Sequence, residues 1–249
     1  MNYHSTSWRI PPERLQLEHD DIHIWRAELS QSVLTRQFFL QILTSDEHSK
    51  AKRFYSQKDQ DYFIVARGIL RIILSRYLHV EPHQLRFCYG PYGKPALIET
   101  PGREALRFNV SHSHELVLFG VARGRELGLD IEYMREGFAS AQLAEQFFSS
   151  SEIAMLRALP TDQQMEGFFN CWTRKEAYVK ARGKGLSLPL DRFDVSLAPG
   201  EPAALLSVRA ERQGGSDWSL LELSPGPGYI AAVAAEGRDW RLSCWQWST

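Results

Sequence analysis

The sequence predicts an α+β fold built from two related halves. Short stretches in which apolar and polar residues alternate, as in half-buried strands, flank segments with apolar residues every three or four positions, as in amphipathic helices. The order strand, helix, antiparallel strands then occurs twice along the 249 residues, which suits sheets packed on helices. The join falls near Ala122–Arg125 and divides the chain into 1–124 and 125–249. Direct identity between the halves is too weak to define a repeat.

In the first half, Ile22 and Ile24 alternate with polar neighbours as a strand, and Val33, Leu34, Phe38, Leu40, Ile42 and Leu43 keep helical spacing. From Asp59 to Leu78, Phe63, Ala66, Ile69, Leu70, Ile73 and Leu74 make the apolar stripe of a long helix whose polar side carries Arg67 and Arg71. Gly90-Pro91-Tyr92-Gly93-Lys94-Pro95 is a turn, and strands follow over 107–110 and 115–121. In the second half, Leu127, Leu129 and Ile131 alternate with Gly128, Asp130 and Glu132 as a strand. Helices are expected over 139–148, 151–159 and 163–181, then strands over 193–197, 204–208, 218–223, 229–234 and 240–245.

With 29 basic and 30 acidic residues the net charge is −1, which excludes a generally basic nucleic-acid binder. At 43% hydrophobic and 24% charged residues, the chain is an ordinary globular one. No apolar run reaches membrane-spanning length and no leader pattern opens the chain, so a soluble, cytoplasmic protein is expected. Cys88, Cys171 and Cys244 have no metal or redox spacing and are expected to be reduced and buried. The near-zero total conceals polarisation. Residues 48–76 carry a net +5, and residues 126–152 a net −5.

Four fragments could carry chemistry. In Gly128-Leu129-Asp130-Ile131-Glu132, strand geometry puts both carboxylates on one face, where a hard cation such as Mg²⁺ relieves their repulsion. Taken alone, the pair reads more readily as a charged strand edge. In Trp172-Thr173-Arg174-Lys175-Glu176-Ala177-Tyr178-Val179-Lys180, Glu176 and Lys180 share a helix face, as an exposed ion pair or as groups for proton transfer and phosphate binding. Phe108-Asn109-Val110-Ser111-His112 ends a strand; adjacent Ser and His point apart, so hydrolase chemistry is discounted and a phosphate hydrogen bond from His112 is preferred to zinc. Tyr92-Gly93-Lys94-Pro95 displays a lysine on a turn, and no Walker A loop exists, since Gly183-Lys184 is followed by Gly185.

Taken in order, these fragments resemble the 4′-phosphopantetheinyl transferase superfamily, in particular its Sfp-type (surfactin-synthetase-activating) group. Phe147-Phe148-Ser149-Ser150-Ser151-Glu152 and Gly183-Lys184-Gly185-Leu186 match further segments of that pattern, and the resemblance spans about residues 51–195. It implies transfer of 4′-phosphopantetheine from coenzyme A to a serine of an acyl, polyketide or peptidyl carrier protein, with adenosine 3′,5′-bisphosphate released. By resemblance, Asp130, Glu132 and Glu176 would hold Mg²⁺ at the coenzyme A pyrophosphate; Glu176 would be the general base, and Lys175 and Lys180 would face the pyrophosphate, Lys180 as part of the catalytic set. Lys94, Pro95, Ser111 and His112, with Arg53 and Lys50, would hold the nucleotide and its 3′-phosphate. Arg67 and Arg71 are both candidates for that end, and Glu152 for a supporting polar role. Short members of the family form sites between subunits, so a chain of two halves is expected to be a pseudo-dimeric monomer with coenzyme A at the junction. Residues 136–151 are the candidate carrier-docking segment. The rival readings are a non-catalytic coenzyme A or carrier-binding module and a Mg²⁺-dependent phosphatase, the latter lacking the further Asp-rich motifs it would need.

Overall fold

A computed structural model describes residues 6–98, 104–135, 137–209 and 217–248. The first half runs β1 (Asp21–Glu28), α1 (Val33–Ile42), α2 (Ser45–Ala51), α3 (Gln57–Leu78), β2 (Phe87–Tyr89), β3 (Pro95–Leu97), β4 (Leu106–Ser113) and β5 (Leu116–Arg123). The second runs β6 (Leu127–Tyr133), α4 (Ala141–Phe147), α5 (Ser150–Ala158), α6 (Thr161–Arg182), β7 (Phe193–Val195), β8 (Leu205–Val208), β9 (Trp218–Leu223), β10 (Tyr229–Glu236) and β11 (Arg241–Gln246).

The expected α+β architecture of two related halves is what forms. Each half opens with a strand, carries a helix of 22 residues, and closes with an antiparallel hairpin whose last strand inserts beside the first, giving β1-β5-β4 and β6-β10-β9. Register fixes which side chains face which layer. Trp25 pairs with Phe119 and Asp130 with Ala232. Trp25, Ala27, Val117, Phe119 and Val121 pack with Ile69, Ile73 and Leu74 of α3, while Ile22, Ile24 and Leu118 of the same strands meet Leu129, Ile131 and Val233 of the other sheet. Ala232, Ala234 and Ile230 then pack with Phe168, Phe169 and Ala177 of α6. The order of layers is helix, sheet, sheet, helix, with an apolar core in each of the three interfaces.

Three features depart from the sequence expectations. β11 pairs in parallel with β1, Asp21 opposite Arg241 and Trp25 opposite Trp245, so the last strand lies across the division at residue 124. The segment before α3 contains the additional helix α2, opened by Glu47 accepting the Thr44 N–H at 3.0 Å. Cys171 and Cys244 are buried free thiols, but Cys88 is exposed on β2. Among the described residues no helix is long and apolar enough to cross a membrane.

Candidate active site

The two sheets meet edge to edge at β4 and β6, and no backbone ladder joins them. Side chains of β4 take that place. Asn109 Oδ1 accepts the Leu129 N–H at 2.8 Å, Ser111 Oγ the Ile131 N–H at 3.4 Å, and Ser113 Oγ the Tyr133 N–H at 3.0 Å. Alternation on both strands makes this possible, because residues two apart project to the same side. Each serine hydroxyl still has its own proton to give. Ser111 donates to Asp130 Oδ1 at 3.0 Å and Ser113 to Glu132 Oε2 at 2.9 Å.

Helix α6 lies across this seam. Gly128 permits the approach: a Cβ there would sit 2.1 Å from the Ala177 carbonyl oxygen and 2.2 Å from the Ala181 nitrogen. The helix thereby brings Lys180 Nζ to 2.6 Å from Asp130 Oδ1 and 3.0 Å from Ser111 Oγ. Glu176, one turn earlier, lines the same groove. Burial raises the Asp130 pKa, with Lys180 opposing it. Burial and then the Asp130 charge raise the pKa of both Glu132 and Glu176. The Asp130 charge acts on both glutamates, with Lys180 as the cation set against all three carboxylates.

The groove has two adjoining cavities that share Pro95 and Val110. One, of about 330 Å³, is lined by Tyr92, Lys94, Asn109, Glu176, Lys180 and Gly183. The other, of about 280 Å³ and mostly apolar, is lined by Phe54, Tyr62, Phe63, Arg67, Leu70 and His112. Arg67 is buried there, reaching Tyr89 Oη at 3.2 Å and Glu47 at 3.4 Å, while its Nη1 has no partner. His112 points into this cavity, where desolvation and then the Lys180 charge lower its pKa even though part of the residue is open to solvent. Lys50 and Arg53 flank a shallower recess with Asp46, Phe54 and Tyr89, and the Lys50 ammonium lies 5.5 Å from the Tyr89 ring.

Among the described residues, no three His, Cys, Asp or Glu side chains converge closely enough, as they stand, to enclose a metal ion. The donor chemistry nevertheless fits a hard divalent cation. Asp130 Oδ2 is buried without a partner, and a buried anionic oxygen left unpaired is costly.

Residues 126–234 match a family model described as the 4′-phosphopantetheinyl transferase superfamily, and residues 13–122 match one described as the N-terminal part of 4′-phosphopantetheinyl transferase. The 4′-phosphopantetheinyl transferase HetI of a Nostoc species is 41% identical over 241 residues, which cover 97% of this chain and 98% of that protein. The chain belongs to the 4′-phosphopantetheinyl transferase superfamily. The 4′-phosphopantetheinyl transferase Sfp of Bacillus subtilis is 33% identical over 201 residues, covering 81% of this transferase and 85% of that protein.

Within the transferase, Lys180 meets Asp130, Glu132 lies on the same strand face as Asp130, and Glu176 and Lys180 line the groove, with Pro95, His112 and Arg67 along its walls. Four other candidate residues have partners of their own. Lys175 does not face the groove: it is 0% exposed, pairs with Glu152 at 2.8 Å, and donates to the carbonyls of Leu190 and Phe193 at 2.6 Å each. Glu152, also 0% exposed, accepts the N–H groups of Ser149 and Val195, so it ties α5 to β7 instead of supporting the groove. The Lys94 ammonium is held by Glu126 at 2.8 Å and by the carbonyls of Leu127 and Ala181, so it staples the two halves beside the cavity. Arg71 is committed to Glu47 at 2.8 Å and to the Pro82 and Leu85 carbonyls, which leaves Arg67 as the arginine at the cavity.

Ser111 reaches the site with its hydroxyl donated to Asp130 and contacted by Lys180. Ser113 was absent from the sequence reading, although its position two residues beyond Ser111 on the same strand face marks it. Glu136, which opens the candidate docking segment, lies outside the described residues.

Proposed function

We propose that this transferase moves 4′-phosphopantetheine from coenzyme A to a serine hydroxyl of an apo carrier protein in a Mg²⁺-dependent reaction that releases adenosine 3′,5′-bisphosphate. Transfer of phosphopantetheine to carrier proteins is the activity of the family to which the chain belongs. The observation that carries the finer reading is the orphaned Oδ2 of Asp130, whose other oxygen is bound by Lys180 and whose charge reaches both Glu132 and Glu176.

Asp130, Glu132 and Glu176 would hold the metal, and bound there it would supply positive charge against the diphosphate of coenzyme A. The chain's own residues do the rest. Lys180 faces the anionic groove from α6, and His112 and Arg67, with its free Nη1, offer donors to the 3′-phosphate in the adjoining cavity. Glu176 takes the proton of the carrier serine, directly or through one water, and its raised pKa suits a base working near neutrality. The serine oxygen then bonds to the phosphorus that bears pantetheine as the anhydride P–O bond breaks, and the bisphosphate nucleotide departs with the electron pair. Both walls of the groove come from one chain, which supports a monomer as the active unit.

Mass spectrometry of apo carriers incubated with coenzyme A and Mg²⁺ tests this reading. A phosphopantetheine-sized gain is expected on at least one of a fatty-acid, a polyketide and a peptidyl carrier, and no gain on any of them refutes it. Asp130→Ala should lower transfer by at least about 10³-fold, while coenzyme A still binds measurably by calorimetry through the basic contacts. A fully active variant would refute the metal assignment.

A further inference from the structure

The polar side chains of β4 serve two strands at once. Ser113 Oγ accepts the Tyr133 N–H at 3.0 Å, which fixes the hydroxyl and aims its single proton at Glu132 Oε2, 2.9 Å away. Ser111 repeats the arrangement one pleat earlier with Ile131 and Asp130. Two carboxylates at i and i+2 on one strand face repel each other, and a free Glu132 side chain would swing toward solvent. The end of the ladder is also clamped. His114 follows Ser113 with φ of 52°, a left-handed conformation that residues other than glycine seldom adopt. Its ring stacks on Tyr133 with centroids 4.8 Å apart, Tyr229 packs edge-on against Tyr133 at 5.0 Å, and the Glu115 N–H donates to Tyr229 Oη at 3.3 Å.

We infer that Ser113 is a positioning residue, which holds Glu132 beside Asp130 so that the acidic pair is arranged for a divalent cation before coenzyme A arrives. The inference rests on the reading of the groove as a metal-dependent transfer site. A hydroxyl behind a ligating carboxylate fixes which oxygen is free and in which direction it points, and removal of such an outer contact characteristically weakens metal affinity by about 10–100-fold.

The test uses Ser113→Ala and Ser113→Thr in the full chain. Ser113→Ala should raise the Mg²⁺ concentration for half-maximal transfer by about tenfold and weaken Mn²⁺ binding to the coenzyme A complex, read by electron paramagnetic resonance, by a similar factor. Metal-free coenzyme A affinity should stay within about twofold, and Ser113→Thr, which keeps the hydroxyl, should restore metal binding to within about threefold. Unchanged Mn²⁺ binding in Ser113→Ala, or failure of Ser113→Thr to restore it, overturns the inference. So does a parallel fall in melting temperature, coenzyme A affinity and metal affinity, which would make the ladder only a tie between halves. If no carrier is modified, the transfer reading falls while the Mn²⁺ measurement still decides this one.

Discussion

Lys175 and Glu176 are neighbours in sequence, yet they serve opposite sides of α6. Successive helical residues are turned by about 100°, so a groove that receives Glu176 and Lys180 cannot also receive Lys175. Lys175 instead enters the core of the second half, where its ammonium lies 4.3 Å from the Phe193 ring and meets Glu152 and two carbonyls. Every hydrogen of the ammonium is taken up, which is the condition under which a buried charge is tolerated. Lys175→Met should therefore lower stability by about 3–5 kcal/mol, because Glu152 is left charged and unpaired. The double variant with Glu152→Gln should recover part of that loss. Urea unfolding of these two variants and of Glu152→Gln alone checks this, and a double-variant loss equal to the sum of the two single losses would show that the pair is uncoupled.

At the scale of elements, the packing of β6 on α6 sets the distance between the strand carboxylates and the helix carboxylate. Gly128 is the point of closest approach, and the atoms a side chain would strike there are backbone, which cannot step aside as a flexible side chain could. Gly128→Ala should cost about 1–3 kcal/mol through overpacking and should lower transfer by more than that loss of folded protein explains, since Asp130 moves away from Glu176. Comparing kcat per folded molecule with the melting temperature separates the two effects. The main elements were legible in the sequence, because each has a strong period of its own: the stripe of α3 from Phe63 to Leu74 and the alternation of β6. Helix α2 was not, because Ser45–Ala51 has no apolar stripe and is anchored by Glu47, which pairs with Arg71 from another helix. The spacing of Thr44 and Glu47 was the one local signal for it.

For the whole molecule, the C-terminal strand returns to the first half and packs over a buried polar network. Trp25 Nε1 donates to Tyr77 Oη at 2.9 Å, so the tyrosine proton goes to His23 Nδ1 at 2.8 Å, and His23 must accept as a neutral imidazole. Its ring meets Trp245 of β11 edge-on at 5.5 Å. Burial is the main cause that lowers the His23 pKa from 6.5 to about 4. Below pH 6.5 the unfolded chain takes up a proton that the folded chain refuses, so this contribution to stability is complete above 6.5 and is lost as pH falls toward 4. By pH 5 the loss is about 2 kcal/mol. Urea midpoints at pH 7 and pH 5 should fall less in His23→Gln, which keeps an acceptor for Tyr77 but does not titrate. An equal fall in both proteins would remove His23 as the cause.

What the sequence alone determined was local: strands and helices from their periods, the shared face of Asp130 and Glu132 from strand pleating, the shared face of Glu176 and Lys180 from helical pitch, and the family from the order of these fragments. Tertiary structure decided which charges meet. Lys180 and Asp130 are 50 residues apart, Lys180 and Ser111 69 apart, and Lys94 and Ala181 87 apart. No period within one element encodes a contact of that range, because it depends on how the two sheets are joined through the side chains of β4 and on how closely α6 approaches Gly128. The same packing turned Lys175 inward and spent Lys94 and Arg71 on holding the fold together. For a charged side chain, residue type sets what it can bind, and burial with its partners sets what remains free to bind a substrate.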